Sequence, residues 1–230
     1  CNSANRPELE RSYIDMLRRN MVDGVIVNSL NIGAEAYAEM GLSLVGIDCD
    51  LGEASVQIAS DSYSIGELAT RRLIDDGCSR ILCLRSNSRM RMPANKRTDA
   101  YLDVVEQAGL PALVREVEFV KPDDEKSAVV AKILDENPDI DGIFAGDDTM
   151  AAICLNVMKQ RGLSAPGDIK VVGADGARRT MTFMPDLTTV RQDIDRIGEL
   201  AAQSIIALIN GEKPESNIKL PVELIEGKTA

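Results

Sequence analysis

The stretch DGIFAGDDTMAA, Asp141 to Ala152, decides the fold. It begins as a short apolar run, breaks at Gly146, passes through two adjacent acids, Asp147 and Asp148, and turns at once into a helical pattern. A buried strand that runs straight into a helix is one half of a parallel βαβ unit. The head of the stretch has a near copy: IDGIFAG from Ile140 and VDGVIVN from Val22 start 118 residues apart, each behind a charged helical segment. Two copies at that distance predict two similar α/β lobes instead of one large sheet.

Outward from these copies, strand-like runs alternate with helix-period segments along the whole chain. LSLVGID from Leu42, RILCLRS from Arg80, REVEFV from Arg115 and IKVVGAD from Ile169 are rich in Val and Ile, as strands buried on both faces are. One helix follows Asp61 and Ser62 as caps, sets Ile65, Leu68, Ala69 and Leu73 on one face, and stops at Gly77. Another follows Asp193, turns Ile194, Ile197, Leu200, Ala201, Ile205 and Leu208 inward, and stops at Gly211. Alternation of this kind predicts doubly wound parallel sheets, and in such sheets ligands sit at the carboxyl ends of the strands. Two facing lobes would gather those ends around a shared cleft.

Composition narrows the function. With 230 residues, 44% hydrophobic and 27% charged, the chain can bury a sizeable core. No window approaches the roughly 18 uninterrupted apolar residues of a membrane span, so a soluble protein without membrane partners is expected. The formal net charge of −11 repels a phosphate backbone, so these residues alone are not expected to grip DNA. Five cysteines without paired spacing fit free thiols in a reducing compartment, hence a cytoplasmic location. No histidine is present, which rules out Ser-His-Asp and Cys-His nucleophile systems and His-ligated metal sites. Neither a G-x-G-x-x-G after a strand nor a G-x-x-x-x-G-K-[ST] occurs, and no cofactor or metal is expected.

DGIFAGDDTMAA, RGLSAPGDIKVVGADG, PDLTTVRQDIDRIGELAAQSIIALING and LPVELIEGKTA closely resemble, in order and spacing, the effector-binding domain of the LacI/GalR family of bacterial transcription regulators. Upstream, VDGVIVNS, GIDCD, ASDSYSIGELATRRLIDDGCSRI and KRTDAYLDVV match as well, so the resemblance covers essentially the whole chain. It implies two Rossmann-like lobes with parallel sheets joined by three crossover strands, the type I architecture of periplasmic sugar-binding proteins. The crossovers would lie near Ser60 to Ser62, near Val190 to Gln192, and before Leu220. The first lobe would comprise 1–60 with 193–216, and the second 62–190 with 219–230. The opening CNSANRPELERSYIDML resembles the end of the family's second strand and the helix after it. The family's helix-turn-helix DNA-binding domain, hinge helix and first strand are therefore expected upstream.

The resemblance also implies a non-enzymatic role and a set of site residues. Arg97, in the family's R-x-x-G/A-aromatic pattern with Ala100 and Tyr101, would contact the effector; its planar fork of donors suits two hydroxyls or a carboxylate. Asp147, where the family often has Asn, and Asp148 would line the cleft, one of them capping or supporting the helix from Thr149 while the other faces a ligand. Both acids being structural is the alternative. Asp175 in VGADG matches a ligand-binding aspartate, against the reading of a turn acid before Gly176. Asp48 in GIDCD and Gln192 in TTVRQD occupy matching cleft positions. The expected partners are a small effector (a sugar, sugar phosphate or sugar acid), operator DNA through the upstream domain, and a second copy of the chain, since operators are two-fold sites.

Three further features carry competing expectations. Arg80, Arg85, Arg89, Arg91, Lys96 and Arg97 fall between Arg80 and Thr98 without an acid; such runs are usually solvated surface, and an anionic effector is the competing reading because Arg97 ends the run at the pocket. Cys1 would suit the acylated start of a lipoprotein solute receptor of the same fold. CLRSNSR, Cys83 to Arg89, has the C-x5-R spacing of cysteine phosphatases but lacks the glycines that bring a backbone close to phosphate.

Overall fold

In the computed structural model, residues 1–3, 6–19, 22–29, 37, 41–49, 51–52, 55–86, 93–118 and 121–230 are described. Up to Ser60 the chain forms α1 (Pro7–Arg19), β1 (Gly24–Val27), β2 (Ser43–Ile47) and β3 (Val56–Ser60). From there to Gln192 it forms α2 (Ser62–Asp75), β4 (Ile81–Arg85), α3 (Asn95–Gln107), β5 (Leu113–Glu116), α4 (Asp123–Glu136), β6 (Gly142–Ala145), α5 (Asp148–Gln160), β7 (Lys170–Asp175), α6 (Arg178–Phe183) and β8 (Thr188–Gln192). The remainder is α7 (Ile194–Ile209), β9 (Asn217–Leu220) and β10 (Val222–Ile225). None of the described helices is long and apolar enough to cross a membrane.

These elements divide into two compact units. Leaving aside the stretch 90–93, the first holds Cys1–Ser60 and Asp193–Leu220, and the second holds Asp61–Arg89, Ala94–Gln192 and Pro221–Ala230. The chain thus changes unit after Ser60, after Gln192 and after Leu220.

The first unit is a four-stranded parallel sheet in the order β1-β2-β3-β9. Side chains alternate across a strand, so neighbours in β2 serve opposite faces. Leu44 joins Ile14 of α1, Val27 and Leu51 in one cluster, while Val45 joins Val56, Ile58 and the Ile197 and Ala201 of α7 in the other.

The second unit is a six-stranded sheet in the order β10-β8-β7-β6-β4-β5. All its pairs are parallel except β10 with β8, so the parallel sheet carries one antiparallel edge strand. An edge position accepts such a strand because only one of its sides is paired. In β4, Leu82 and Leu84 pack under α4 and α5, whereas Ile81 and Cys83 pack under α2 and α3. The strand expected from Arg115 instead spans Leu113–Glu116, because Leu113 lies opposite Leu82 of β4 and is buried there.

Strand order reverses between β4 and β6: the chain leaves β4 towards β5 on one side and builds β6, β7 and β8 on the other. Such a switch point opens a crevice at the strands' carboxyl ends. Asp141, at the head of the opening stretch, braces the opposite end of the sheet. Its carboxylate accepts from the amides of Ser79 and Arg80 at 2.8 Å each and from the Ser79 hydroxyl at 3.0 Å.

The two helices that begin just after a change of unit share the sequence IGELA, at Ile65 and Ile197. Both are capped by the aspartate in front of them, Asp61 accepting from the Ser64 amide at 3.3 Å and Asp193 from the Arg196 amide at 3.0 Å. In α2, Gly66 lies so close to the Arg97 carbonyl that a Cβ would overlap it, so the missing side chain sets how near α3 approaches.

Candidate functional site

Arg97, in the first turn of α3, points its guanidinium to the carboxyl end of the second unit's sheet. Nη1 donates to the Gly146 carbonyl at 2.5 Å and Nη2 to Asp175 Oδ1 at 3.1 Å. Its side chain is only 11% exposed, and the buried Nε has no hydrogen-bond partner among the described residues. A buried donor without a partner is costly unless something else accepts from it.

Asp175 closes β7 and takes a second hydrogen bond on the same oxygen, from Gln192 Nε2 at 2.5 Å. Arg97, Asp175 and Gln192 are therefore brought together by α3, β7 and β8, with the Gly146 carbonyl at the end of β6 completing the set. Asp175 keeps 33% of its side-chain surface exposed. Burial pushes its carboxyl up to about 6, opposed by Arg97 and reinforced by the negative charges of Asp147 and Asp148. Its backbone has φ 113, a conformation costly for a residue with a Cβ and one that clusters at functional sites.

The adjacent acids divide their work. Asp147 is the N-cap of α5: it is extended, with φ −153 and ψ 169, and Oδ1 accepts from the Met150 amide at 2.7 Å. Asp148, expected to line the cleft, is buried. It is 3% exposed, with Oδ1 accepting from the Thr189 hydroxyl at 2.6 Å and Oδ2 from the Gly176 amide at 2.8 Å. Burial raises its carboxyl above the ordinary aspartate value, while those two hydrogen bonds pull it back. The helix that Asp147 starts turns the next side chain inward beneath β7. Gly173 leaves the room, since a Cβ there would overlap Asp148 Oδ1.

Asp48 belongs to the first unit, just past β2. Its φ is 49, and its amide donates to the Ile58 carbonyl at 3.0 Å. Asp48 and Asp175 are the two non-glycine residues with positive φ among the described residues.

The basic run reads differently once partners are visible. Arg89 and Arg91 lie outside the described residues. Arg80 pairs with Asp139 at 3.1 Å, Arg85 with Glu116 at 3.7 Å, Lys96 with Asp99 at 3.0 Å and Arg97 with Asp175. Each described cation of the run has a carboxylate beside it, so none is left in surplus for an anion. Cys83 sits mid-strand at 1% exposure, and burial pushes its thiol up to about 12, far from the thiolate a nucleophile needs. No group of described His, Cys, Asp and Glu residues is placed to hold a metal ion.

Thr189, Gly176 and the Gly146 carbonyl are participants that sequence reasoning missed. Two act through the backbone, and the Thr189 hydroxyl meets Asp148 across 41 residues of chain; no local pattern announces such contacts.

The model of the periplasmic binding protein-like domain family matches residues 70–230. The sucrose operon repressor of Pediococcus pentosaceus is 34% identical over 232 residues, covering 100% of this chain and 71% of that protein. The chain belongs to the LacI/GalR family. A second family member, the ribose operon repressor of Halalkalibacterium halodurans, is 30% identical over 231 residues, covering 100% of this chain and 69% of its own length. Among solved structures, a periplasmic binding protein/LacI transcriptional regulator from Alkaliphilus metalliredigens, complexed with D-xylulofuranose, superposes with a TM-score of 0.87. It is 26% identical and covers 100% of this chain and 86% of that one.

Proposed function

We propose that the chain is the effector-sensing portion of a cytoplasmic LacI/GalR transcription regulator, and that its effector is a neutral sugar. The observation that carries this reading is the convergence of Arg97, Asp175 and Gln192 at the strand ends, with Arg97 Nε left without a partner. A sugar hydroxyl both donates and accepts, so it suits a site where a free guanidinium N–H stands beside a partly exposed carboxylate. A sugar phosphate or sugar acid would meet Asp147 and Asp175 around a single arginine, two carboxylates against one cation. The relatives named as sucrose and ribose operon repressors point to the same ligand class.

Arg97, Asp175, Gln192 and Asp147 would contact the ligand, Asp148 would support them, and Asp48 is the first unit's candidate for the same role. Ligand binding biases one conformation by its differential affinity, and the same coupling acts on operator affinity through an upstream helix-turn-helix domain. The active form would be a homodimer.

The test is a thermal-shift screen against sucrose, D-ribose, ribose 5-phosphate and gluconate, repeated with Arg97→Ala. A ligand that binds only the folded state raises the melting temperature by mass action. Stabilisation by a neutral sugar, lost in Arg97→Ala, is expected. Stabilisation by the anions alone would overturn the choice of ligand class.

A further inference from the structure

Asp148 reaches three elements at once. It starts α5, accepts from the Gly176 amide just past β7, and accepts from Thr189 on β8. Both of its oxygens are committed and its surface is closed to solvent, so no ligand atom can reach it. Yet the turn it grips is the one that carries Asp175 at φ 113, followed by Gly176 at φ 58. A backbone held in such a region persists only where its surroundings over-determine it. Gly173 has given up its side chain at the one place where Asp148 must enter.

We propose that Asp148 is a positioning residue, which holds the Asp175–Gly176 turn so that the Asp175 carboxylate meets Arg97 and Gln192. The inference rests on the reading of that cluster as the ligand site, but its geometry belongs to the free protein. Two of the donors involved, Thr189 and Gln192, lie on the same strand. The brace therefore ties the effector acid to the strand that ends where the chain leaves the second unit.

The experiment has two arms on the whole chain. In the free protein, the Arg97 Nε–H proton is followed by nuclear magnetic resonance and assigned by its loss in Arg97→Lys. The guanidinium is held through Nη1 by Gly146 and through Nη2 by Asp175, so the buried Nε–H beside them is expected to exchange slowly. Asp175→Asn and Asp148→Asn should both broaden or abolish the signal, while Asp141→Asn, at the opposite end of the sheet, leaves it in place. Should Asp148→Asn fold poorly, Thr189→Val removes one arm of the brace and should weaken the signal in the same sense. A signal that survives in Asp148→Asn while the melting temperature falls would reduce Asp148 to a stability residue and overturn the proposal.

The second arm measures affinity for sucrose and D-ribose by calorimetry. Asp148→Asn should weaken binding about tenfold in the native background, within the coupling range of contacting residues, and less than about twofold when added to Asp175→Asn. Equal losses in both backgrounds would also overturn it. If neither sugar binds the native protein while the Arg97 signal still follows Asp148, the ligand reading fails and the positioning role stands.

Discussion

Replacing Arg97 by Ala removes the cation beside Asp175 and leaves that carboxylate partly buried on its own. Breaking a buried pair by deleting one partner costs about 3–5 kcal/mol. Asp175 keeps 33% of its side chain in water, which screens the loss and brings the expectation to about 2 kcal/mol at pH 7.5. The cost must depend on pH. The folded-state Asp175 carboxyl lies at about 6, above its unfolded value near 3.8, so the folded protein holds a proton that the unfolded chain releases. Its contribution to stability is therefore largest in acid and falls as the pH rises through about 6.

At pH 5, below the raised carboxyl value, the native Asp175 is largely protonated, so the ion pair is weakened and Arg97→Ala loses mainly its hydrogen bond and packing. Without Arg97 the carboxyl rises further, and the penalty widens towards neutral pH. Urea unfolding of both proteins at pH 5 and pH 7.5 measures this. A destabilisation that is the same at both pH values, or larger at pH 5, would refute the reasoning.

Gly66→Ala should cost about 1–3 kcal/mol, because the new methyl meets the Arg97 carbonyl and helix backbones yield poorly; thermal melting reads it directly. Asp147→Ala deletes the N-cap of α5 and should cost about 1 kcal/mol, less than Asp148→Ala, which leaves the Gly176 amide and Thr189 hydroxyl buried without an acceptor. Titration of the native protein with a thiol reagent should modify Cys1 rapidly and Cys49, Cys78, Cys83 and Cys154 only on unfolding, since those four are buried. Rapid modification of a second cysteine would show that one of the cores opens.

Local patterns carried much of the architecture. Val and Ile runs marked β1, β2, β4, β6 and β7, and the aspartates before α2 and α7 announced caps that the backbone uses. β5 begins two residues before the run read as a strand because Leu113 and Val114 already pair with Leu82 and Cys83 of β4. That one of the two adjacent acids caps α5 was legible, since capping is an interaction over three residues, but not that it is Asp147. The role of Asp148 was not legible: it depends on a threonine and a glycine amide 41 and 28 residues away, and on an empty space at Gly173. The partners of the basic run were hidden for a related reason, as Asp139, Glu116 and Asp175 reach it from other parts of the chain.

Pro221 alone separates β9, the last strand of the first sheet, from β10, the last strand of the second. During synthesis both units thus wait on the same nine residues, Asn217–Ile225, and neither sheet is finished before the other can be. A chain released early would present the open edges of β3 and β8 together, two templates for pairing with other chains.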